Sequence, residues 1–170
     1  MKKIPIKYKN IIYYALVDNE DYNKLSKYKW HYERGYARRS QYMGGGRKNT
    51  KIKHVRMHQD ILGKAEHIDH INHNGLDNRK ENLRKCTRSQ NFANRKKYTN
   101  NTSGYKGVSK HGNKWQADIQ INGKSKYLGI FESKEKAANA YNIAAKSLFG
   151  KFAYLNTIDK NHTLKVQEGL

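Results

Sequence analysis

The chain has 170 residues and a formal net charge of +21, with 35 Lys and Arg residues against 14 Asp and Glu residues. A positive excess of this size goes beyond what solubility requires and indicates a polyanionic partner. The aromatic content of 11% excludes a disordered basic chain, which would be poor in aromatic residues. Because Cys86 is the only cysteine, an intrachain disulfide and a zinc site built on cysteines are both excluded.

Neither membrane insertion nor export is predicted from the sequence. No apolar stretch approaches the roughly 20 residues that a membrane span requires. Residues 1–9 lack the apolar segment of a signal peptide. We therefore expect an intracellular protein that has no membrane partner.

Residues 1–48 are predicted to form a β-rich region that supports the rest of the chain. Apolar and polar residues alternate over residues 4–8, an apolar run covers residues 11–17, and residues 9–10 can turn between them, which predicts a hairpin. A short helix and two further strands are expected before a glycine-rich basic loop at residues 44–48. This loop offers charge to a DNA phosphate, and a mobile hairpin tip is the alternative.

Residues 49–97 are predicted to form the catalytic core. A strand and a short helix are expected over residues 50–63. Alternation over residues 67–71 predicts a further strand, and the Asn-Gly and Asp-Asn pairs within residues 74–78 predict turns. The pattern Thr-x-x-Gln at residues 87–90 is typical of a capping box and predicts that a helix begins there.

This core contains the residue types that metal-assisted cleavage of a phosphodiester requires. Asp69 is followed directly by His70, and Asn82 and Asn91 come next in a strongly basic setting. A carboxylate can hold a divalent cation, an imidazole can take a proton from water, and the cation offsets charge that builds on the phosphate. The alternative is a polar loop whose side chains only satisfy backbone groups. The ordered set of four favours the catalytic interpretation.

The adjacent pair Asp69-His70, Asn82 within Glu-Asn-Leu-Arg, and Asn91 within Ser-Gln-Asn together resemble the HNH nuclease motif, in the variant found in phage and intron-encoded homing endonucleases. The resemblance implies a ββα-metal fold, in which a β-hairpin and the following helix hold one divalent ion, Mg²⁺ or Mn²⁺. It implies that Asp69 and Asn91 are metal ligands, that His70 is the general base, and that Asn82 holds the connecting loop and orients the histidine. The third motif position is often histidine, and the amide of Asn91 is a weaker ligand, which leaves the metal preference open. Because the likeness is to phage proteins, we expect the cytoplasm of a bacterial host.

Several residues around the motif are candidates for contacts with DNA phosphates. They are His58, His73, Arg79, Arg84 and Arg88. His58 precedes the motif at a distance where HNH proteins of this type often carry a histidine. For His58 and His73 a structural role is the alternative, and it is the favoured one.

Residues 104–156 follow a predicted linker at residues 98–103 and show a second, self-contained pattern. Strict alternation over residues 115–121 predicts a half-buried strand, and the Asn-Gly pair after it predicts a tight hairpin turn. We expect three antiparallel strands packed on one helix, which Ser133 caps and Gly150 ends. The apolar stripe of this helix is predicted to consist of Ala137, Ala140, Tyr141, Ala144, Ala145 and Leu148.

The segments Tyr105-Lys-Gly-Val, Lys114-Trp115, Tyr127-Leu-Gly-Ile-Phe131, the alanine-rich helix and Leu155-Asn156 resemble the apetala-type, ethylene-response-factor DNA-binding domain of plants. The resemblance covers the second pattern in full and implies that its sheet lies in the major groove of DNA. The implied contact surface consists of Lys106, Ser109, Lys110, Lys114, Trp115, Asp118, Gln120, Ser125, Lys126 and Tyr127. The plant proteins carry mostly Arg and Trp there, and their first hairpin is one residue longer, so their target sequence cannot be carried over. A solvated polar surface is the alternative.

The sequence as a whole predicts an α+β protein, with a β-rich region leading into the HNH core, a sheet-and-helix module and a tail at residues 157–170. The predicted function is that of a metal-dependent, site-recognising DNA endonuclease of the homing type that nicks one strand. Double-stranded DNA is the expected partner, no small-molecule cofactor is expected, and a monomer is favoured over a dimer. A DNA-binding regulator that does not cleave is the first alternative, and an RNA-binding protein is the second.

Overall fold

The computed structural model describes residues 1–46 and 49–158. The basic tip predicted at residues 47–48 and the predicted tail beyond residue 158 lie outside the described residues. The chain divides into two compact units, Met1–Thr87 and Arg88–Leu170. Each unit has its own sheet and helices, which confirms the predicted α+β class.

The first unit contains a five-stranded sheet and two short helices. Its elements in chain order are β1 (Lys2–Tyr8), β2 (Ile11–Val17), α1 (Asn19–Leu25), β3 (His31–Glu33), β4 (Tyr36–Tyr42), β5 (Ile52–Arg56) and α2 (Met57–Leu62). The order in the sheet is β2-β1-β3-β4-β5. Neighbouring strands are antiparallel except β1 and β3, which are parallel. The predicted hairpin of β1 and β2 is confirmed, because Tyr8 pairs with Ile11 across the turn.

The predicted domain boundary at residue 48 falls inside this sheet. β5 pairs with β4 along the whole length of β5, from Arg38 opposite Arg56 to Tyr42 opposite Ile52. The glycine-rich loop is therefore a connection between two strands of one sheet. The support region and the helix α2 that follows β5 share one hydrophobic core, whose buried members are Ile4, Ile6, Ala15, Val17, Leu25, Trp30, Ala37 and Met57.

The catalytic motif lies on a separate two-stranded hairpin of the first unit. The hairpin pairs β6 (His67–His70) with β7 (Leu83–Cys86), and a loop that ends in a short 3₁₀ turn at Lys80–Asn82 connects them. The helix predicted near residue 88 is present as α3 (Arg88–Asn94) and belongs to the second unit. The first unit thus contains the hairpin that carries Asp69 and His70.

The second unit contains the predicted three-stranded antiparallel sheet packed on one helix. Its strands β8 (Val108–His111), β9 (Lys114–Ile121) and β10 (Lys124–Phe131) lie in the order β10-β9-β8, and α4 (Lys134–Phe149) follows. The predicted cap is confirmed, because the Ser133 hydroxyl accepts a hydrogen bond from the Lys136 amide at 3.2 Å. The residues buried between the sheet and the helix include Val108, Ala117, Ile119, Ala137, Ala138, Tyr141 and Ala145.

Two predictions for the second unit need correction. Leu148 was expected in the apolar stripe but is 44% exposed. Phe149, which follows Ala145 at a spacing of four residues, packs against the core instead, because that spacing keeps it on the buried face. The expected linker at residues 98–103 ends in a structured corner. There the Ser103 hydroxyl is buried and donates to the Val108 carbonyl at 2.8 Å, since short polar side chains readily satisfy nearby backbone groups.

Among the helices within the described residues, none combines the length and the apolar character needed to cross a membrane.

Candidate functional site

Asp69 and His70 are neighbours on β6, and both side chains are buried. Successive residues of a strand point to opposite faces, so the Asp69 carboxylate and the His70 imidazole lie on opposite faces of the hairpin. The carboxylate Oδ2 of Asp69 accepts from Nε and Nη2 of Arg84 at 2.8 Å and 2.6 Å. Arg84 stands directly opposite Asp69 in the register of β6 and β7. The predicted phosphate contact Arg84 thus lies within the site, where it pairs with the predicted metal ligand.

The His70 ring is enclosed by side chains of the first unit. Its centroid lies 5.0 Å from that of His58, with the rings nearly perpendicular at 81°, and 5.6 Å from that of Tyr36. Its Nε2 lies 3.4 Å from Oδ1 of Asn78. Burial lowers the pKa of His70, and this effect outweighs the opposing influence of Asn78 and of Asp69. The ring is therefore neutral at pH 7, which is the state that a general base requires.

His58 lies in the interior beside His70. The residue is 5% exposed, and burial, followed by the neighbouring His70, lowers its pKa to about 3. A neutral, buried ring offers no charge to a DNA phosphate. The placement therefore fits the structural alternative for His58 and not the predicted phosphate contact.

Asn82 closes the loop between β6 and β7. Its Oδ1 accepts a hydrogen bond from the backbone N–H of Asn72 at 3.0 Å, and its Nδ2 donates to the backbone carbonyl of Asp77 at 2.8 Å. These bonds match the implied role of holding the connecting loop. The ring of His70, however, faces the side chain of Asn78 rather than that of Asn82.

Asp77 forms a second buried polar centre in the same loop. Its carboxylate accepts from Nε and Nη2 of Arg79, each at 2.7 Å, and from Asn72 at 2.9 Å. The hydrogen bond from Arg79 is the main reason why the pKa of Asp77 is lowered. Arg79 also pairs with Glu81. This predicted phosphate contact is thus engaged in holding the loop together.

The two remaining candidates near the motif lie at the surface. His73 is exposed at a loop position with a positive φ of 64°. Arg88 begins α3, and its guanidinium lies 5.9 Å from the centroid of the Phe92 ring. Their exposure is compatible with a contact to DNA.

The donor set for a divalent ion is sparse. Within the part of the chain that the structure describes, no group of three or more His, Cys, Asp or Glu residues is arranged to hold a metal. Mg²⁺ is commonly bound by one or two carboxylates, with waters and substrate phosphates completing its coordination. The oxygen of Asp69 and the amide oxygen of Asn91, which lies on α3 of the second unit, are donors of the correct hard type. Each residue, taken by itself, thus has an oxygen donor of the type that a magnesium or manganese ion prefers.

The sheet of the second unit presents one open face. Ala117 and Ile119 of β9 are buried against α4, so the alternating residues Asp118 and Gln120 lie on the opposite side. Residues paired across antiparallel strands share a face, and the register places Tyr127 opposite Asp118 and Ser125 opposite Gln120. Six of the predicted DNA contacts share this face, namely Ser109, Lys114, Asp118, Gln120, Ser125 and Tyr127.

Four predicted contacts lie elsewhere. Trp115 packs against the alanine-rich core, and the register places Lys110 and Lys126 on the same side of the sheet as Trp115 and Ile119. The ammonium of Lys106 donates to the carbonyls of Phe92 and Ala93 at 3.3 Å and 2.6 Å. Burial lowers the pKa of Lys106 to about 8. Its long side chain reaches the carboxyl end of α3, where basic groups satisfy the last carbonyls.

Sequence reasoning overlooked two residues that contact His70. Asn78 was taken only as a turn residue, although an Asp-Asn pair inside a catalytic motif is a signal that could have been weighed. Tyr36 lies far from the motif in the sequence and carries no signal of its own. Only the fold brings its ring to the histidine.

Comparison with known proteins shows which family the chain resembles. The profile of the HNH endonuclease family matches residues 51–93, a range that contains Asp69, His70, Asn82 and Asn91. The chain is also similar to a protein described as an uncharacterized HNH endonuclease from Acanthamoeba polyphaga mimivirus. The identity is 33% over 147 residues, which cover 86% of this chain and 76% of the relative. No solved structure matches the chain significantly.

Proposed function

The chain belongs to the HNH endonuclease family and is a DNA nuclease, and from this premise we propose that it hydrolyses a phosphodiester bond of double-stranded DNA with His70 as general base. The single observation that carries the proposal is the buried pair Asp69 and His70 on one hairpin, with the imidazole held neutral. A neutral imidazole accepts the proton of the attacking water.

The dependence on a metal ion is part of the proposal. Asp69 and Asn91 would hold Mg²⁺ or Mn²⁺, which supplies stabilisation of the charge that develops on the phosphate and on the leaving oxygen. The guanidinium of Arg84 already pairs with the Asp69 carboxylate. The same guanidinium competes for the carboxylate, and we therefore expect weak metal binding in the absence of DNA.

The second unit is proposed to supply recognition of the DNA. Its open face carries Tyr, Gln, Asp, Ser and Lys side chains, which can bond to base edges and phosphates in the major groove. The apetala-type likeness, the homing character and the cutting of one strand belong to this proposal. The net charge of +21 supports binding to DNA in general, because phosphate contacts provide most of the non-specific affinity.

The nuclease proposal is tested by plasmid nicking with the full chain. We expect relaxed product with Mg²⁺ or Mn²⁺, none with EDTA, and recovery when the ion is added back. Asp69→Ala should abolish cleavage and weaken Mn²⁺ binding in calorimetry, and Asn91→Ala should do the same to a lesser degree, because a neutral amide contributes less to binding. DNA binding without cleavage under every metal condition would favour the regulator instead.

A further inference from the structure

Asn78 occupies the centre of the loop between β6 and β7, and its side chain is 0% exposed. Two backbone hydrogen bonds attach this part of the loop to β2. The Leu16 amide donates to the Leu76 carbonyl at 2.8 Å, and the Asn78 amide donates to the Leu16 carbonyl at 2.8 Å. Leu16 of β2 therefore holds the loop backbone at Leu76 and at Asn78, on the two sides of Asp77.

The loop also rests on the turn between β3 and β4. A Cβ atom added at Gly75 would collide with the Gly35 carbonyl oxygen and would lie 2.6 Å from the Tyr36 ring. Glycine is thus required at this position for the loop to approach β4 so closely. Tyr36 in turn contacts the His70 ring, so the amino-terminal sheet supports both the loop and the histidine.

The two ends of the Asn78 side-chain amide differ in their hydrogen bonding. Its Oδ1 faces Nε2 of His70 at 3.4 Å, whereas its buried Nδ2 has no hydrogen-bond partner among the described residues. Leaving a buried donor unsatisfied costs free energy, and such groups call for a functional explanation. A residue that served only to satisfy the loop backbone would not explain why the oxygen is turned toward the imidazole.

The chemistry of the two groups restricts the position of the imidazole proton. A neutral imidazole carries one N–H and one lone pair, and an amide oxygen can only accept a hydrogen bond. The Nε2 that faces Oδ1 must therefore carry the proton, which leaves the lone pair on Nδ1. The distance of 3.4 Å is long, as is common for catalytic hydrogen bonds before substrate binds.

We propose that Asn78 is a positioning residue that holds His70 in the Nε2–H tautomer, so that Nδ1 is the nitrogen that accepts the proton of the attacking water. The strands β1 to β4 act through Asn78 and Tyr36, and this gives the amino-terminal region its role in catalysis. The assignment of the tautomer stands on the geometry alone. Its consequence for cleavage rests on the proposed function of His70.

The tautomer is measured directly by ¹⁵N NMR of the full chain with labelled histidine, without DNA or metal, at about pH 8, where histidine is neutral. His70→Gln assigns the His70 signals by their loss. We expect the wild-type ring to show a protonated Nε2 and an unprotonated Nδ1. Asn78→Leu, which removes the acceptor, should shift the ring toward the Nδ1–H tautomer. Asn78→Asp, which keeps an acceptor oxygen, should retain the Nε2–H tautomer.

Single-turnover cleavage and DNA binding then separate positioning from folding. Asn78→Leu should reduce the cleavage rate about 10- to 100-fold, within the range that general-base catalysis provides, and Asn78→Asp should recover most of it. DNA affinity should stay within about threefold, because the base acts only in the chemical step. Tyr22→Ala is the matched control, since Tyr22 packs on the core of the same unit. It should lower the melting temperature but leave the His70 signals unchanged.

Three results would overturn the proposal. These are a wild-type ring protonated at Nδ1, an Asn78→Leu ring with unchanged signals, and equal losses of rate in Asn78→Leu and Tyr22→Ala. If Asn78→Leu does not fold, the wild-type and Asn78→Asp spectra decide the tautomer. A chain that shows the Nε2–H ring but never cleaves DNA with Mg²⁺ contradicts the proposed function and supports the placement of Asn78.

Discussion

The two units differ in what they bury. The first unit places polar groups around His70 in its interior, including His58, Asp69, Asp77, Asn78 and Asn82, in addition to an apolar core. The second unit packs its sheet on its helix mainly through alanine, valine, isoleucine and tyrosine. Buried polar groups reduce stability unless each is bonded, so proteins retain them chiefly where function requires them. The comparison supports the proposal that the proton transfer takes place at the His70 ring of the first unit, whereas any contact of the second unit with DNA is made by its surface.

The largest effect is expected when the imidazole of His70 is removed. His70→Ala should lower the single-turnover cleavage rate about 10²- to 10⁴-fold, which is the range for a general base. DNA affinity, measured by gel shift, should change no more than about threefold, because the base acts only in the chemical step. His54→Ala is the matched control, because His54 is an exposed histidine of the same unit. Wild-type cleavage by His70→Ala would remove His70 from the mechanism.

The apolar packing of the second unit is tested by a pair of glycines. A Cβ at Gly107, where φ is +73°, would collide with the Tyr141 ring and lie 2.6 Å from the Asp118 carbonyl oxygen. At Gly112 φ is +57°, but nothing lies within 4 Å of the added atom. Gly107→Ala should therefore cost about 2–4 kcal/mol of unfolding free energy in urea titration, from overpacking together with backbone strain. Gly112→Ala should cost about 1 kcal/mol, from strain alone. Equal losses would show that the close approach at Gly107 is not needed.

The polar interior of the first unit should make stability depend on pH. His58 has a pKa of about 3 when folded and about 6.5 when unfolded, so below pH 6.5 the unfolded chain binds more protons than the folded one. Above pH 6.5 the contribution of His58 to the free energy of unfolding should not change with pH. As the pH decreases from 6.5 toward about 3, the free energy of unfolding should fall by about 1.4 kcal/mol per pH unit. Burial also lowers the pKa of His70, which should add to the loss of stability as the pH decreases.

Urea unfolding between about pH 7 and pH 4.5 measures this slope above the range where most carboxylates titrate. His58→Gln should have a shallower slope than the wild type, because its side chain does not titrate. His54→Gln, which replaces an exposed histidine of the same unit, is the matched control. Identical slopes in all three proteins would contradict the burial of a neutral His58.

The smallest expected effect concerns the open face of the second unit. Tyr127→Ala or Gln120→Ala should reduce the preference for the cleaved site over random DNA by roughly 5- to 30-fold, the equivalent of about 1–2 kcal/mol for lost base contacts. Nicking at scattered positions should persist. Ile143→Ala is the matched control, because Ile143 is 65% exposed on α4 and lies outside the sheet. Footprinting on a cleaved substrate measures the preference, and an unchanged footprint in both face variants would place recognition outside this sheet.

The sequence predicts the local patterns well, and the reason is their short range. The hairpin of β1 and β2, the three strands of the second unit and the Ser133 cap follow from alternation and turn chemistry within a few residues. The pair Asp69-His70 was found because the two residues are adjacent. Tyr36 and Leu16 could not be connected with the histidine, since their contacts with the motif depend on how distant strands are arranged. The bonds of Lys106 to the carbonyls of α3 could not be predicted either, because no local pattern indicates that partner.

The β-bridge between Leu16 and Asp77 has a consequence for the order in which the nuclease folds. Contacts between residues far apart in the sequence form slowly, because the intervening chain must first be closed into a loop. Strand β2 must therefore be in place before the motif loop can close over the imidazole. A folding intermediate in which β2 has not yet paired with the motif loop would bind DNA through its charge but would not yet cut it. Activity would thus appear last in folding, together with the complete first unit.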